Sequence, residues 1–168
     1  MSLLLKPKPN SNIELAWVYD PGGTTGYARV RIDQPTRVMT ITEIGEFQTW
    51  KHIEKHILDA EAYNVNKSNS ACVVLEDFVP RIATLSIMFP IEVIGVIRFL
   101  CLKHDVPYFK QNPHEREAAD KWIKSINCFQ SHHGSAIRHA VVFVYKLLGN
   151  QIPTVNFDKQ LLYKNFLK

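Results

Sequence analysis

The 168-residue chain reads as an α/β domain, a mixed sheet flanked by helices. Three observations carry that reading. Short apolar runs of strand length, bounded by Pro, Gly and Asn, fill the first third of the chain. The apolar period changes from two to helical just after Thr49. In the second half, strand-like and helix-like segments alternate, as they do where parallel strands are joined by crossover helices. The order is β-β-β-α-β-α-β-α-α.

The elements follow in turn. Ile13 to Val30, IELAWVYDPGGTTGYARV, is a buried strand, a tight Pro-Gly-Gly turn and a return strand. Gln34-Pro35 makes the next turn, and Arg37 to Phe47 alternates as a third strand. Three antiparallel strands in a row is the economical arrangement. From Thr49 to about Tyr63, Trp50, Ile53, Ile57, Leu58 and Ala62 fall on one helical stripe. Asn64 to Ser70 is a polar loop. Ala71 to Leu75 is a continuous apolar run, as in a strand covered on both faces, and it ends in Glu76-Asp77. Phe78 to Pro90 is a loop, Glu92 to His104 an apolar helix, Tyr108 to Gln111 a short strand and His114 to Ile126 a charged helix. Ser131 to Leu148 is the last helix, closed by Gly149-Asn150. Residues 1–12 read as a flexible lead, 13–150 as the domain, and 151–168 as a basic tail with a short amphipathic turn.

Bulk properties narrow the class. A formal net charge of +4 points mildly towards a polyanionic partner. Cys72, Cys101 and Cys128 lie in or beside apolar runs without CxxC spacing, which fits reduced thiols rather than a zinc site or a disulfide framework. MSLLLKPKPNSN has the wrong charge order for a signal peptide. Glu92 and Arg98 interrupt the longest apolar segment, so no membrane span is expected. The expectation is a soluble, cytoplasmic protein.

The chemistry concentrates at strand ends. Asp20 closes the first strand and Glu76 the fourth, and strands ending in carboxylates side by side can present oxygen ligands to one hard cation. His132, Ser135 and His139 are spaced i, i+3 and i+7 along one side of the last helix. Acids and an imidazole around Mg2+ or Mn2+ suit metal-assisted phosphodiester hydrolysis. Each feature also has a plainer reading. Asp-Pro-Gly-Gly is an ordinary turn composition, and Glu76-Asp77 fits a solvated strand end. Ser135 fits a helix-start residue bonded to nearby backbone. His139, nearly two turns beyond His132, reads as a packing residue rather than a ligand.

Four segments taken together, YDPGGTTGYA, VVLEDF, EVIGVIRFL and HHGSAIRHA, resemble the RuvC-like Holliday junction resolvases, with the phage-encoded branch the closer likeness. The resemblance spans about Leu15 to Leu148. It implies an RNase H-like mixed five-stranded sheet, three antiparallel strands then two parallel, in a homodimer that cleaves branched DNA with Mg2+ or Mn2+. By position, Asp20 and Glu76 match the family's first two metal-binding acids. His132 takes the first place of the C-terminal motif, as a metal ligand, and Ser135 stands where the last catalytic aspartate is expected. A serine hydroxyl is a neutral, weak ligand, so the cluster lacks one negative charge. Asp77 or a water substitutes, or the chain is a weakened or inactive junction binder, or the position has been altered to trap an inactive form. Phe78 and Arg81 would overhang the cleft, one stacking on a base and one contacting phosphate. Lys110, His114, Arg116, Lys121 and Lys124 would track the DNA backbone, although interleaved acids also fit a solvated helix face. DPGGTTGYA also resembles the first phosphate loop of actin-like ATP-binding domains, but nothing in the chain repeats the phosphate motif.

Overall fold

A computed structural model of the chain describes residues 11–68, 70–77, 85–122 and 131–165. Strands β1 (Leu15–Asp20), β2 (Thr25–Asp33) and β3 (Val38–Phe47) form an antiparallel meander. Helix α1 (Ile53–Lys67), entered through a 3-10 turn at Trp50–His52, leads to β4 (Ala71–Glu76), which pairs parallel to β1. Helix α2 (Leu85–Lys103) then crosses to β5 (Tyr108–Gln111), parallel to β4. A 3-10 turn at Pro113–Arg116 runs into α3 (Glu117–Trp122), and α4 (His132–Leu147) and β6 (Thr154–Asn165) complete the described chain. The strand order is β5-β4-β1-β2-β3-β6.

The sheet therefore has six strands rather than five, three antiparallel and two parallel strands as expected plus β6. The added strand comes from the segment read as a basic tail. It lies parallel to β3, with Val38 opposite Thr154 and Glu46 opposite Asn165. Four residues, 158–161, bulge out opposite Thr42, and this breaks the alternation that would have marked a strand. Val155, Phe157 and Leu161 pack against the core beneath it.

Alternating side chains divide the core into two layers. Ala16, Val18, Ala28, Ile44, Val74 and Phe109 face α4 and meet Ala136, Ile137, Ala140, Phe143 and Leu147. Leu15, Trp17, Tyr19, Tyr27, Phe47, Val73 and Leu75 face α1 and α2. The buried stripe of α1 is Ile53, His56, Ile57 and Ala60, while Trp50 and Leu58 are exposed, 55% and 43%. The expected stripe was thus rotated, because the first turn is 3-10 and carries Trp50 off the helical face. Helix α4 ends at Leu147, and its cap residue Leu148 is followed by two left-handed residues, Gly149 and Asn150, with the Asn150 amide donating to Tyr145 O. Cys72 and Cys101 are buried free thiols, and burial raises both pKa values, Cys101 to about 12. Among the described residues no helix is long and apolar enough to cross a membrane.

Candidate active site

Strand register builds the site. One step inside the sheet rim, Phe109, Val74, Val18, Ala28 and Ile44 form a continuous apolar row facing α4. Two residues further along each strand, the same face carries Gln111 on β5, Glu76 on β4, Asp20 on β1, Gly26 on β2 and Glu46 on β3. The polar row follows from a period of two applied across paired strands. Gly26 leaves a gap in it. A Cβ there would lie 2.0 Å from the carbonyl carbon of His132 and 2.4 Å from the amide nitrogen of His133. The missing side chain is what lets the first turn of α4 rest directly on the sheet.

Helix α4 brings His139 down onto the acids. Single ligand atoms of Asp20, Glu76 and His139 all lie within 4.8 Å of one another, and all three residues are buried. His139 Nε2 is 2.8 Å from Glu76 Oε2, and its Nδ1 is 2.8 Å from the Gln111 amide. Hydrogen-bond complementarity turns the Gln111 NH2 to donate to His139 Nδ1 and to the His139 carbonyl, 3.1 Å away, while its oxygen accepts from the Phe143 amide. The ring proton then sits on Nε2 and is donated to Glu76. A cation at Nε2 requires the other tautomer, and a half-turn of the Gln111 amide would accept the Nδ1 proton. Two carboxylate oxygens and one imidazole nitrogen are a donor set that fits Mg2+ or Mn2+.

Arg116, from the 3-10 turn after β5, bridges the same acids. Its Nη1 is 3.1 Å from Glu76 Oε2 and 3.5 Å from Asp20 Oδ1. Burial and the charge of Glu76 push Asp20 up to about 6. Burial also works against ionisation of Glu76, but the hydrogen bond and charge of His139, with the charge of Arg116, hold it below its ordinary value. Below about pH 6 the pair therefore holds one ionised and one protonated carboxylate.

The predicted residues distribute unevenly. Asp20 and Glu76 meet as expected. His132 lies at the edge, its half-exposed ring 3.8 Å from Asp20 Oδ2, and Ser135 lines a cavity of about 450 Å3 with Asp20, Gly22, Glu46, Arg116 and His132. His139, read from the sequence as packing, is the imidazole at the centre. Arg116 sits inside the site, whereas Lys110 is paired with Asp77 at 3.0 Å and Lys121 is exposed. That ion pair occupies Asp77, the acid considered as a substitute for the expected aspartate. Phe78, Arg81 and Lys124 lie outside the described residues. Glu46 was overlooked, although the alternation of Ile44-Gly-Glu46 at the end of β3 puts it in line with Ile44.

No family model and no curated protein matches the chain. Solved structures do. Thermus thermophilus RuvC superposes with a TM-score of 0.55 at 13% identity, covering 83% of this chain and 99% of that one. T. thermophilus RuvC in complex with a Holliday junction substrate gives 0.59 at 14% identity, with the same coverage. The Fowlpox virus resolvase in its complex with substrate Holliday junction DNA gives 0.52 at 14% identity, covering 80% of this chain and 99% of that one. The chain shares its fold with RuvC and with a viral resolvase.

Proposed function

We propose that this chain is a structure-specific DNA endonuclease that resolves Holliday (four-way) or other branched junctions by metal-dependent phosphodiester hydrolysis. The observation that carries the reading is the Asp20–Glu76–His139 trio at the rim of a sheet whose fold is that of RuvC and the fowlpox resolvase. Mg2+ or Mn2+, when bound, supplies a hydroxide nucleophile near neutral pH and offsets charge on the phosphate. Asp20 and Glu76 would hold it, and His139, steadied by Gln111, would complete the donor set. Arg116 is 38% exposed in its side chain and can leave the acids for the scissile phosphate as the cation takes over their charge. His132, which lines the cavity, would meet the nucleophilic water or the leaving oxygen.

Branched-DNA resolution implies two cuts, and the reading includes a homodimer. Ile91, Gly95, Phe99 and Leu102 form an exposed stripe along α2, with Phe99 64% and Leu102 61% exposed. A Cβ on Gly95 would meet nothing within 4 Å, so the stripe has room for a close helix partner. Phe78, Arg81, Lys121 and Lys124 remain the candidates for contact with the arms of the junction.

Ser135 favours a second reading, a catalytically weakened or inactive relative that still binds junctions. One assay separates the two. Labelled four-way junction is incubated with Mn2+ or Mg2+ and the wild-type, Asp20→Asn, Glu76→Gln or Ser135→Asp chain. Symmetric nicking by the wild type, lost in both acid variants and kept or raised in Ser135→Asp, supports the nuclease. Tight binding with cleavage only in Ser135→Asp identifies the inactive relative. Cleavage indifferent to Asp20 and Glu76 would sink the metal-site reading.

A further inference from the structure

Gln111 closes β5 opposite Glu76 on β4, and its side chain is almost wholly buried. A buried amide has to place two N–H donors and a carbonyl oxygen. The Gln111 NH2 donates to His139 Nδ1 at 2.8 Å and to the His139 carbonyl at 3.1 Å, and its oxygen accepts from the Phe143 amide at 3.1 Å. The last two partners are backbone groups of α4, one helical turn apart. Helix backbone thus fixes which end of the amide faces the imidazole.

Turning the amide would set its oxygen against the His139 carbonyl and its NH2 against the Phe143 N–H. Two buried hydrogen bonds would become two repulsive contacts. The clamp therefore holds a donor against Nδ1, and the neutral ring keeps its proton on Nε2, 2.8 Å from Glu76 Oε2. In that form Nε2 has no lone pair to offer a cation. The ligands ready at once are carboxylate oxygens. Such a set suits Mg2+, whereas an imidazole nitrogen favours later first-row ions such as Co2+.

We propose that Gln111 determines metal specificity: by holding the proton on His139 Nε2 it opposes ligation by the imidazole and biases the site towards Mg2+. The proposal rests on the reading in which Asp20 and Glu76 hold the cation. Gln111 acts through His139 and is a positioning residue. His139 joins the donor set only where the metal–nitrogen bond outweighs the clamp, a condition that Co2+ meets more readily than Mg2+.

Two measurements on the full chain test it. The first is nitrogen NMR of the His139 ring in EDTA at mildly alkaline pH, assigned by its loss in His139→Asn. The wild-type proton should sit on Nε2. In Gln111→Glu, whose carboxylate only accepts, it should move to Nδ1. The second is calorimetric titration with Co2+ and, separately, Mg2+. The added charge of Gln111→Glu strengthens both alike, so the readout is the ratio of the two affinities. That ratio should shift towards Co2+ by about tenfold in Gln111→Glu. It should shift the same way, by less, in Gln111→Met, which adds no charge and keeps the test open if the glutamate variant does not fold. Combining either change with His139→Asn should abolish the shift. A wild-type proton on Nδ1, alone or together with Nε2, would overturn the proposal. So would a ratio unchanged in both Gln111 variants, or a shift that survives removal of the imidazole. Each of these leaves the metal-site reading standing, whereas a wild type that binds neither ion removes both.

Discussion

The two faces of the sheet bury polar groups in opposite ways. On the α1 face, Trp17 stacks on His56 with ring centroids 3.9 Å apart, and His56 Nδ1 lies 2.9 Å from the Tyr19 hydroxyl. Asp59 accepts from both Trp17 Nε1 and Arg29 Nε, each at 2.9 Å, Arg29 also reaches Thr42, and Tyr27 donates to Glu43. Every charge named there meets a protein partner. On the α4 face, Asp20 and Glu76 share a partly exposed arginine and a histidine, and burial still pushes Asp20 up to about 6. The first network is complete within the chain. The second leaves Asp20 short of compensation, which the proposed cation would supply.

That contrast can be broken from either side. The largest expected effect is on chemistry. Asp20→Asn should reduce junction cleavage by about a thousandfold or more, since the donor set loses the carboxylate at its centre. In EDTA near neutral pH the same variant should be more stable than the wild type, by on the order of 2 kcal/mol, because ionising buried Asp20 costs the folded state. A lower melting temperature for Asp20→Asn in EDTA would show that the carboxylate is satisfied within the protein after all. Arg29→Met should do the reverse. It removes one of the two donors to Asp59 and the guanidinium contact to Thr42, and should cost about 1 kcal/mol, seen as a fall of about 2–4 °C in melting temperature, with cleavage per folded molecule retained. Lost cleavage in a folded Arg29→Met chain would join the two faces into one functional unit.

The smallest effect is the pH response, and it sharpens the comparison most. Between about pH 4 and pH 6 the folded protein keeps a proton on Asp20 that the unfolded chain has already released. This group therefore lowers the stability of the metal-free protein as pH rises through that window, and adds no slope outside it. Mn2+ competes with the same proton, so affinity should climb by up to about tenfold per pH unit and level off near pH 6. Calorimetric titration from pH 5 to pH 8 measures this directly. A flat profile would remove Asp20 from the binding site, and Asp20→Asn should abolish the stability slope.

How much of the site could be read in advance depends on how locally each residue is determined. Asp20 and Glu76 were legible because each ends an apolar strand, and the order of elements makes those strands neighbours. His139 was not, because its position depends on how far α4 slides over the sheet, which the approach of its first turn to Gly26 decides. Arg116 read as one more cation on a charged helix, and only the 3-10 turn after β5 directs it inward. Glu46 needed the exact pairing of three strands. The sixth strand needed a partner distant in the chain, since an edge strand with a four-residue bulge has little local signature.

By itself the sequence determined the periodicities, hence the strands and helices of the α/β domain, and the two acids that close its inner strands. These are properties of neighbours along the chain. The tertiary structure decided the rest: a sixth strand, a histidine and an arginine brought onto the acids, and Glu46 in the wall of the cavity that Ser135 also lines. Those depend on strand register and on where a helix rests across the sheet, and both are set by packing between residues far apart in sequence.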